Sequence, residues 1–226
     1  MLLALPLCTF PTHANTTLPA HPQSWPSGYV ARLEASLLIQ TLSVDLLSHG
    51  SATLTLERWC STHRLASSPR IVAERVAGMD KAPTEEQRRE LGVAETDLVR
   101  YRRVRLLCGT VVLSEADNWY VPGRLTPEIN SLLDTTDTPF GRAVQSLHFQ
   151  RHTISAKVLW PLLPDGWEMM SAAPIESAGA LTLPSHVLEH RAVLTLRDGT
   201  PFSEVVERYT ANVLATPMQR WRHRSP

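Results

Sequence analysis

The side chains best suited to chemistry lie on two predicted strands that are far apart in the sequence. Arg103 lies among other arginines on an apolar strand, and Glu204 and Glu207 lie in the last apolar run. A guanidinium binds a carboxylate in a fixed geometry, and a carboxyl group takes or shares a proton. These groups suit a site for a small acid, although an isolated strand arginine is more often solvated or in a surface ion pair.

Two predicted hairpins must position these groups. The first runs from Tyr101 as an apolar strand, turns at Gly109 and returns as a second apolar strand. The second consists of Val187–Leu196 and Pro201–Val213, which flank an Asp-Gly pair, a strong hairpin signal. The arginines and the glutamates therefore come from different hairpins, and only folding brings them together.

The remaining pattern predicts an α+β fold. Helical spacing of apolar residues predicts helices over Tyr29–Ser48 and behind Pro127, and a threonine cap predicts another over Thr84–Leu91. Strands are predicted over Arg70–Val76 and Gln145–Ser155. A further strand is predicted where leucines alternate with threonines over residues 51–59. We expect a mostly antiparallel sheet of about six strands with helices on one face.

Several short motifs occur in the order and spacing of one family. They are R-x-x-L-L-C at Arg103–Cys108, V-P at Val121–Pro122, T-P-x-G-R at Thr138–Arg142 and P-x-x-x-x-x-E at Pro201–Glu207. In these stretches, and over most of residues 33–214, the chain resembles the chorismate lyase family. This fold is shared with the UTRA ligand-sensing domain of GntR-type regulators, so the resemblance implies an internal ligand pocket.

The resemblance also implies a reaction and its residues. Chorismate lyases eliminate pyruvate from chorismate to leave 4-hydroxybenzoate, without a metal or an organic cofactor. By the motifs, Arg103 and Glu207 are the expected catalytic residues. Arg103 would also bind the substrate, together with Gly141 and backbone N–H groups that fall on Phe140 and, more loosely, on Leu42.

Two alternatives stay open at the level of sequence. The last turn has about one residue more than the family pattern, so Glu204 is the alternative to Glu207. The related regulator domains bind ligands without converting them, so a non-catalytic binding protein for a small aromatic or hydroxylated carboxylate is the alternative function.

Composition limits the kinds of partner that the chain is expected to bind. The 226 residues carry 22 basic and 22 acidic side chains, so overall charge gives no case for nucleic-acid binding. No apolar run reaches the roughly 20 residues that span a bilayer. His186 and His190 lack further ligands at metal spacing, so no metal is expected. We expect a monomer that binds a small carboxylate.

The two ends predict processing and a tail. Met1–Phe10 is apolar and precedes a small-x-small site at residues 12–14, so residues 1–14 are predicted to be a signal peptide. The mature chain would begin near Asn15, with a linker over residues 15–28, the domain over 29–215 and a basic tail over 216–226. The leader indicates a periplasmic or secreted protein, and a cytoplasmic one is the alternative.

The location decides what is expected of the cysteines. An exported chain keeps Cys60 and Cys108, each at the end of a predicted strand, and an oxidising compartment could join them. The opposite expectation comes from the resemblance, because Cys108 matches a cysteine of cytoplasmic lyases that stays reduced.

Overall fold

A computed structural model describes residues 24–78, 80–171 and 179–215 of the chain. Five α-helices and eight β-strands are found in these ranges. The helices are α1 (Tyr29–Ser48), α2 (Ala52–Thr62), α3 (Glu85–Leu91), α4 (Pro127–Thr135) and α5 (Phe140–Ala143). The strands are β1 (Ser24–Pro26), β2 (Ile71–Arg75), β3 (Arg100–Cys108), β4 (Val111–Tyr120), β5 (Gln150–Val158), β6 (Ala180–Thr182), β7 (His186–Thr195) and β8 (Pro201–Thr210).

The main sheet has six strands in the order β2-β3-β4-β8-β7-β5, and every neighbouring pair is antiparallel. The α+β prediction is confirmed, as are both hairpins. Gly109 turns the first hairpin with φ of 59°, a left-handed conformation, and a Cβ there would lie 2.9 Å from the Cβ of Ala66. Glycine is therefore required both by backbone conformation and by space.

One face of the sheet is covered by α1 and α2. Ala35, Ile39 and Leu42 of α1 are buried in the main core, together with strand residues such as Val104 and Tyr209. A smaller cluster around Leu133 and Phe202 packs under α4 and α5. This layer forms because one stripe of each helix and one face of each strand are apolar and must be covered together.

Helix α2 corrects the strand predicted over residues 51–59. Ser51 caps the helix, its hydroxyl accepting a hydrogen bond from the backbone N–H of Leu54. Leu56, Trp59 and Cys60 are buried on one side of the helix. The leucine and threonine alternation is too short to exclude this helical spacing, and the serine cap favours the helix.

The expected placement of all helices on one face is also corrected. Helix α3 packs on the opposite face, where the Gln87 side chain donates to the Glu204 carboxylate at 3.2 Å. The predicted cap is confirmed: Thr84 and Gln87 form a reciprocal capping box. The short α3 helix needs this cap because seven residues are marginal as an isolated helix.

The predicted leader (1–14) and basic tail (216–226) lie outside the described residues. The end of the predicted linker is structured: β1 pairs with β6, and Trp25 is buried with its indole N–H bonded to the Ala31 carbonyl. The predicted linker over residues 15–28 therefore ends in a short strand that holds Trp25 against the core. Within the described ranges, no helix is long and apolar enough to cross a membrane.

Cys60 of α2 and Cys108 of β3 form a disulfide, with Cα atoms 6.3 Å apart and a sequence separation of 48. Both residues are fully buried, which puts the bond between the helix layer and the sheet. Closing a loop of this length stabilises the fold by about 4 kcal/mol in the chain-entropy model.

We predict that reduction with dithiothreitol lowers the free energy of unfolding by about 4 kcal/mol. Denaturant melts with and without reductant measure this difference. The control is the Cys60→Ser/Cys108→Ser variant, whose stability should not respond to reductant. Equal melts of oxidised and reduced wild-type protein would contradict the prediction.

Candidate functional site

A cavity of about 40 Å³ lies between the sheet and the N-terminus of α2. This volume exceeds the roughly 10–15 Å³ that one water needs, so small polar groups fit. Its apolar walls come from Val104, Leu106, Ala116, Phe140, Phe149, Leu194 and Val205. Its polar groups include Arg102, Asn118, Arg151 and Glu207. A mostly apolar wall with a few polar groups is the usual composition of a small-molecule site.

Arg102 is the pocket arginine with more unused hydrogen-bonding capacity: two of its nitrogens lack a partner among the described residues, against one of Arg151. The Arg102 side chain is only 5% exposed, and it donates one hydrogen bond, to the Thr138 carbonyl at 3.2 Å. Its Nε and Nη1 have no hydrogen-bond partner among the residues that the structure describes. Burial, and then the charge of Arg75, lower the pKa of Arg102 below its ordinary value. A buried guanidinium in this state favours an incoming anion.

Arg151 and Glu207 form a second polar group in the same pocket. Nη2 of Arg151 lies 2.6 Å from the Glu207 carboxylate, and both side chains are more than 90% buried. The Tyr209 hydroxyl donates to the same carboxylate oxygen at 3.0 Å. Burial tends to lower the pKa of Arg151, but the Glu207 charge raises it overall. The short contact and the Tyr209 hydrogen bond therefore fix the two side chains in place.

The N-terminus of α2 forms the side of the pocket opposite the sheet. Gly50, Ser51 and Thr53 line the cavity, and a helix N-terminus carries partial positive charge from its free N–H groups. Gly141 lies against this helix end: an added Cβ would lie 3.1 Å from Thr53 Oγ1 and 3.2 Å from Ser51 Oγ. The expected substrate residues Phe140 and Gly141 both lie in the lining.

The prediction that Arg103 and Glu207 face one pocket is wrong. In the sheet register Arg103 lies opposite Asp117, whereas Glu207 lies opposite Ala116, so the two side chains point to opposite faces. On the outer face, Arg103 lies 3.5 Å from Glu115 and 3.8 Å from Asp117. The R-x-x-L-L-C motif therefore identified the correct strand, but the arginine of that strand that lines the pocket is Arg102 and not Arg103.

The other two candidates also lie elsewhere. Leu42 is fully buried in the core between α1 and the sheet and does not line the pocket, whose wall is formed there by the start of α2. Glu204 is buried on the outer face, where Arg191 donates to it at 2.8 Å. Of the two glutamates on β8, Glu207 is therefore the one in the pocket.

Sequence reasoning missed Arg102 and Arg151. Arg102 is in phase with Val104, Leu106 and Cys108, which are the buried residues of β3. That alternation was a usable signal, because side chains two apart share a face. For Arg151 no comparable signal exists, since the side chains of β5 are mostly exposed.

His190 lies beside the Glu207 network and is completely buried. Its Nε2 is 3.1 Å from the Ser43 hydroxyl, and its ring packs edge-on against Tyr209. Burial lowers the pKa of His190 below 6.5, although the Glu207 charge raises it and Arg151 lowers it further.

A lowered folded-state pKa makes stability depend on pH in one direction. Above the unfolded value near 6.5 both states are neutral, and below it the unfolded chain takes up the proton first. We predict that the free energy of unfolding falls as the pH drops from 7.5 to 5.5. His190→Asn should reduce this slope, while half-buried His63, whose pKa is also lowered by partial burial, maintains part of it. Identical slopes would contradict the assignment.

No cluster of three or more metal-ligating side chains occurs in the part of the chain described by the structure. The charged groups of the pocket are instead two arginines and one glutamate. The pocket thus supplies hydrogen-bond donors toward an anion at Arg102 and a fixed carboxylate at Glu207.

Comparisons with known proteins give one sequence relative and several distant structures. The "Uncharacterized protein y4mC" of Sinorhizobium fredii (strain NBRC 101917 / NGR234) is 54% identical over 196 residues, covering 86% of this chain and 83% of the relative. No protein-family model matches the chain.

The similar solved structures include transcriptional regulators. PhnF from Mycobacterium smegmatis is 13% identical, with a TM-score of 0.44, over 73% of this chain and 65% of that chain. The effector domain of PhnF is 14% identical, with a TM-score of 0.44, over 72% of this chain and 90% of that chain. YydK from Bacillus subtilis is 14% identical, with a TM-score of 0.38, over 63% of this chain and 59% of that chain. At these identities the likeness concerns the course of the chain and carries no information about a ligand.

Proposed function

The chain belongs to the same family as protein y4mC of Sinorhizobium fredii, and since that relative's name states no activity, we propose a function from the pocket: binding of a small aromatic or hydroxylated carboxylate. The observation that supports it is the buried Arg102, whose Nε and Nη1 have no partner in the described part of the chain. A carboxylate would supply the missing acceptors.

The position of Arg102 favours a small ligand over a macromolecule. The guanidinium lies inside a cavity between the sheet and α2, where only a small or extended group can enter. The α2 N-terminus adds partial positive charge from the other side. A carboxylate would thus be held by a full charge and by backbone dipoles in a poorly hydrated space, where both act strongly.

The other end of the pocket selects the part of the ligand beyond its carboxylate. Between Arg102 and Glu207 the walls are aliphatic and aromatic, including Phe140 and Phe149. In the strand register, Glu207 lies two strands away from Arg102 and is shifted by two residues along the strand direction. The Cα atoms of Arg102 and Glu207 are therefore roughly 12 Å apart. An apolar ring with a hydroxyl far from its carboxylate would match this order of groups, with Glu207 accepting from the hydroxyl.

Elimination of pyruvate from chorismate is the second candidate. The observation that favours it is a carboxylate, Glu207, inside the same pocket as a buried arginine. Against it, one carboxylate oxygen of Glu207 already accepts hydrogen bonds from Arg151 and Tyr209, which hold the side chain in place. We therefore rank binding without turnover first.

Two assays on the purified full chain test the proposal. In the first, chorismate is added and the absorbance of 4-hydroxybenzoate is followed, and we expect no turnover. In the second, melting temperature is measured with 4-hydroxybenzoate and with 4-hydroxybenzyl alcohol as a matched ligand without the carboxylate. At about 100 times the dissociation constant the acid should stabilise the protein by about 2.7 kcal/mol.

The outcomes separate the candidates. A rise in melting temperature with the acid but not the alcohol supports carboxylate binding. Equal responses to both compounds, or none to either, contradict it. Production of 4-hydroxybenzoate that is lost in Glu207→Gln would establish the second candidate instead.

A further inference from the structure

The outer side of α1 is apolar although no described residue buries it. Val30, Leu37, Val44 and Leu47 are 64%, 68%, 59% and 47% exposed. The opposite side of the same helix is buried in the core. Helices at a protein surface usually carry charges on the outer side, and a helix that is apolar on both sides is normally covered on both.

Two of the three charged residues of α1 are directed away from this outer side, and the third, Glu34, lines a groove beside it. The helix has only Arg32, Glu34 and Asp45 as charged residues. Arg32 donates to the Ser27 and Leu162 carbonyls, and Asp45 pairs with Arg58 at 3.0 Å. Two of the three charges are therefore directed to neighbouring segments.

The exposed residues have the spacing of a helix-pairing seam. Val30, Leu37 and Val44 recur every seven positions, and Leu33 and Leu47 occupy the intermediate positions. Apolar residues repeating every 3.5 positions are typical of a helix that packs along a second helix. Gln40 takes the remaining position, and a single polar residue in such a seam sets its register. We refer to Val30, Leu33, Leu37, Gln40, Val44 and Leu47 as the outer stripe.

The shape of the surface beside the outer stripe fits a helix from a second copy. The N-terminal half of α1 forms one wall of a groove of about 700 Å³, and residues 160–168 form the other wall. The C-terminal half, with Val44 and Leu47, lies beyond the residues that line the groove. The C-terminal half of one copy fits the groove of the other, and two-fold symmetry makes both contacts identical.

The available area reaches the lower threshold for a specific interface. A 20-residue helix is about 30 Å long and about 10–12 Å across, so its outer half presents on the order of 500 Å². Two such faces give roughly 1,000 Å², the area that a specific interface requires, before residues 160–168 contribute. We propose that the protein forms a homodimer in which the outer stripes of two copies pack against each other. This departs from the monomer expected from the sequence.

Sedimentation equilibrium of the full chain over roughly 1–100 μM tests the proposal, because dissociation constants of this order suit an interface of this size. We expect wild-type protein to reach twice the monomer mass. Leu37→Glu should weaken association on the order of a hundredfold, since each copy would bury an unpaired carboxylate. Leu98→Glu is the matched control: Leu98 is 64% exposed but lies outside α1, so this variant should remain dimeric.

Unchanged melting of the isolated Leu37→Glu monomer, compared at a concentration where wild type is dissociated, shows that the variant folds. Wild-type protein that stays monomeric throughout the range overturns the proposal. A dimer that persists in Leu37→Glu, or one that Leu98→Glu dissociates equally, overturns it as well. None of these results depends on the ligand of the internal pocket.

Discussion

Replacing Arg102 with methionine should stabilise the ligand-free protein and abolish carboxylate binding. The methionine fills similar space without a buried charge, so we expect the free energy of unfolding to rise by about 1–3 kcal/mol. Loss of the guanidinium should weaken binding of 4-hydroxybenzoate by about 2–5 kcal/mol, on the order of 30- to 5,000-fold. Denaturant melts measure the gain in stability, and titration calorimetry measures the loss of affinity. The two changes are opposite because the buried guanidinium destabilises the ligand-free protein and binds the ligand carboxylate.

The adjacent arginine is the matched control. Arg103 is paired with Glu115 and Asp117 on the outer face, so Arg103→Met should leave ligand affinity unchanged and alter stability by less than about 1 kcal/mol. If Arg103→Met abolished binding and Arg102→Met did not, the assignment of the pocket face would be wrong.

Replacing Glu207 with glutamine should be strongly destabilising. Arg151 is buried with Glu207 as its ion-pair partner, and Tyr209 donates to the same carboxylate. Removing one charge of a buried pair leaves the other without compensation, and we expect a loss of about 3 kcal/mol. For a domain of this size the melting temperature should fall by roughly 6–12 °C.

Two further variants test the cause of that loss. Glu189 pairs with Arg208 at 2.8 Å in a more exposed position, so Glu189→Gln should cost less than about 1 kcal/mol. Adding Arg151→Met to Glu207→Gln should recover much of the lost stability, because no uncompensated charge then remains. A Glu207→Gln protein as stable as Glu189→Gln would show that the pair contributes nothing.

Strong local signals in the sequence predicted most of the fold. The Asp-Gly turn before Pro201 and the turn at Gly109 fixed both hairpins, and periodic leucines predicted α1. Helix α2 was missed because the alternation of threonine and leucine over residues 53–56 is too short to distinguish a strand from a helix, and tertiary packing then decides. Helix α3 on the outer face depends on the buried Glu204 contact, which no local pattern encodes.

The candidate site was predicted in part for a similar reason. Glu207, Phe140 and Gly141 came from motifs and lie in the lining, but matching Arg103 by motif ignored strand alternation. A shift of one residue moves a side chain to the other face, so the neighbour Arg102 takes the inward position. The contact between Arg151 and Glu207 is non-local, because β5 and β8 are separated by β7 in the folded sheet and the two residues are 56 positions apart in the sequence.

A crystal structure of the protein grown with 4-hydroxybenzoate tests the central claim most directly. We predict that the ligand lies between the sheet and α2, with its carboxylate within hydrogen-bond distance of Arg102 Nε or Nη1 and its hydroxyl directed toward Glu207. A ligand bound with its carboxylate at Arg103 on the outer face, or one in the pocket with its carboxylate away from Arg102, would contradict the account.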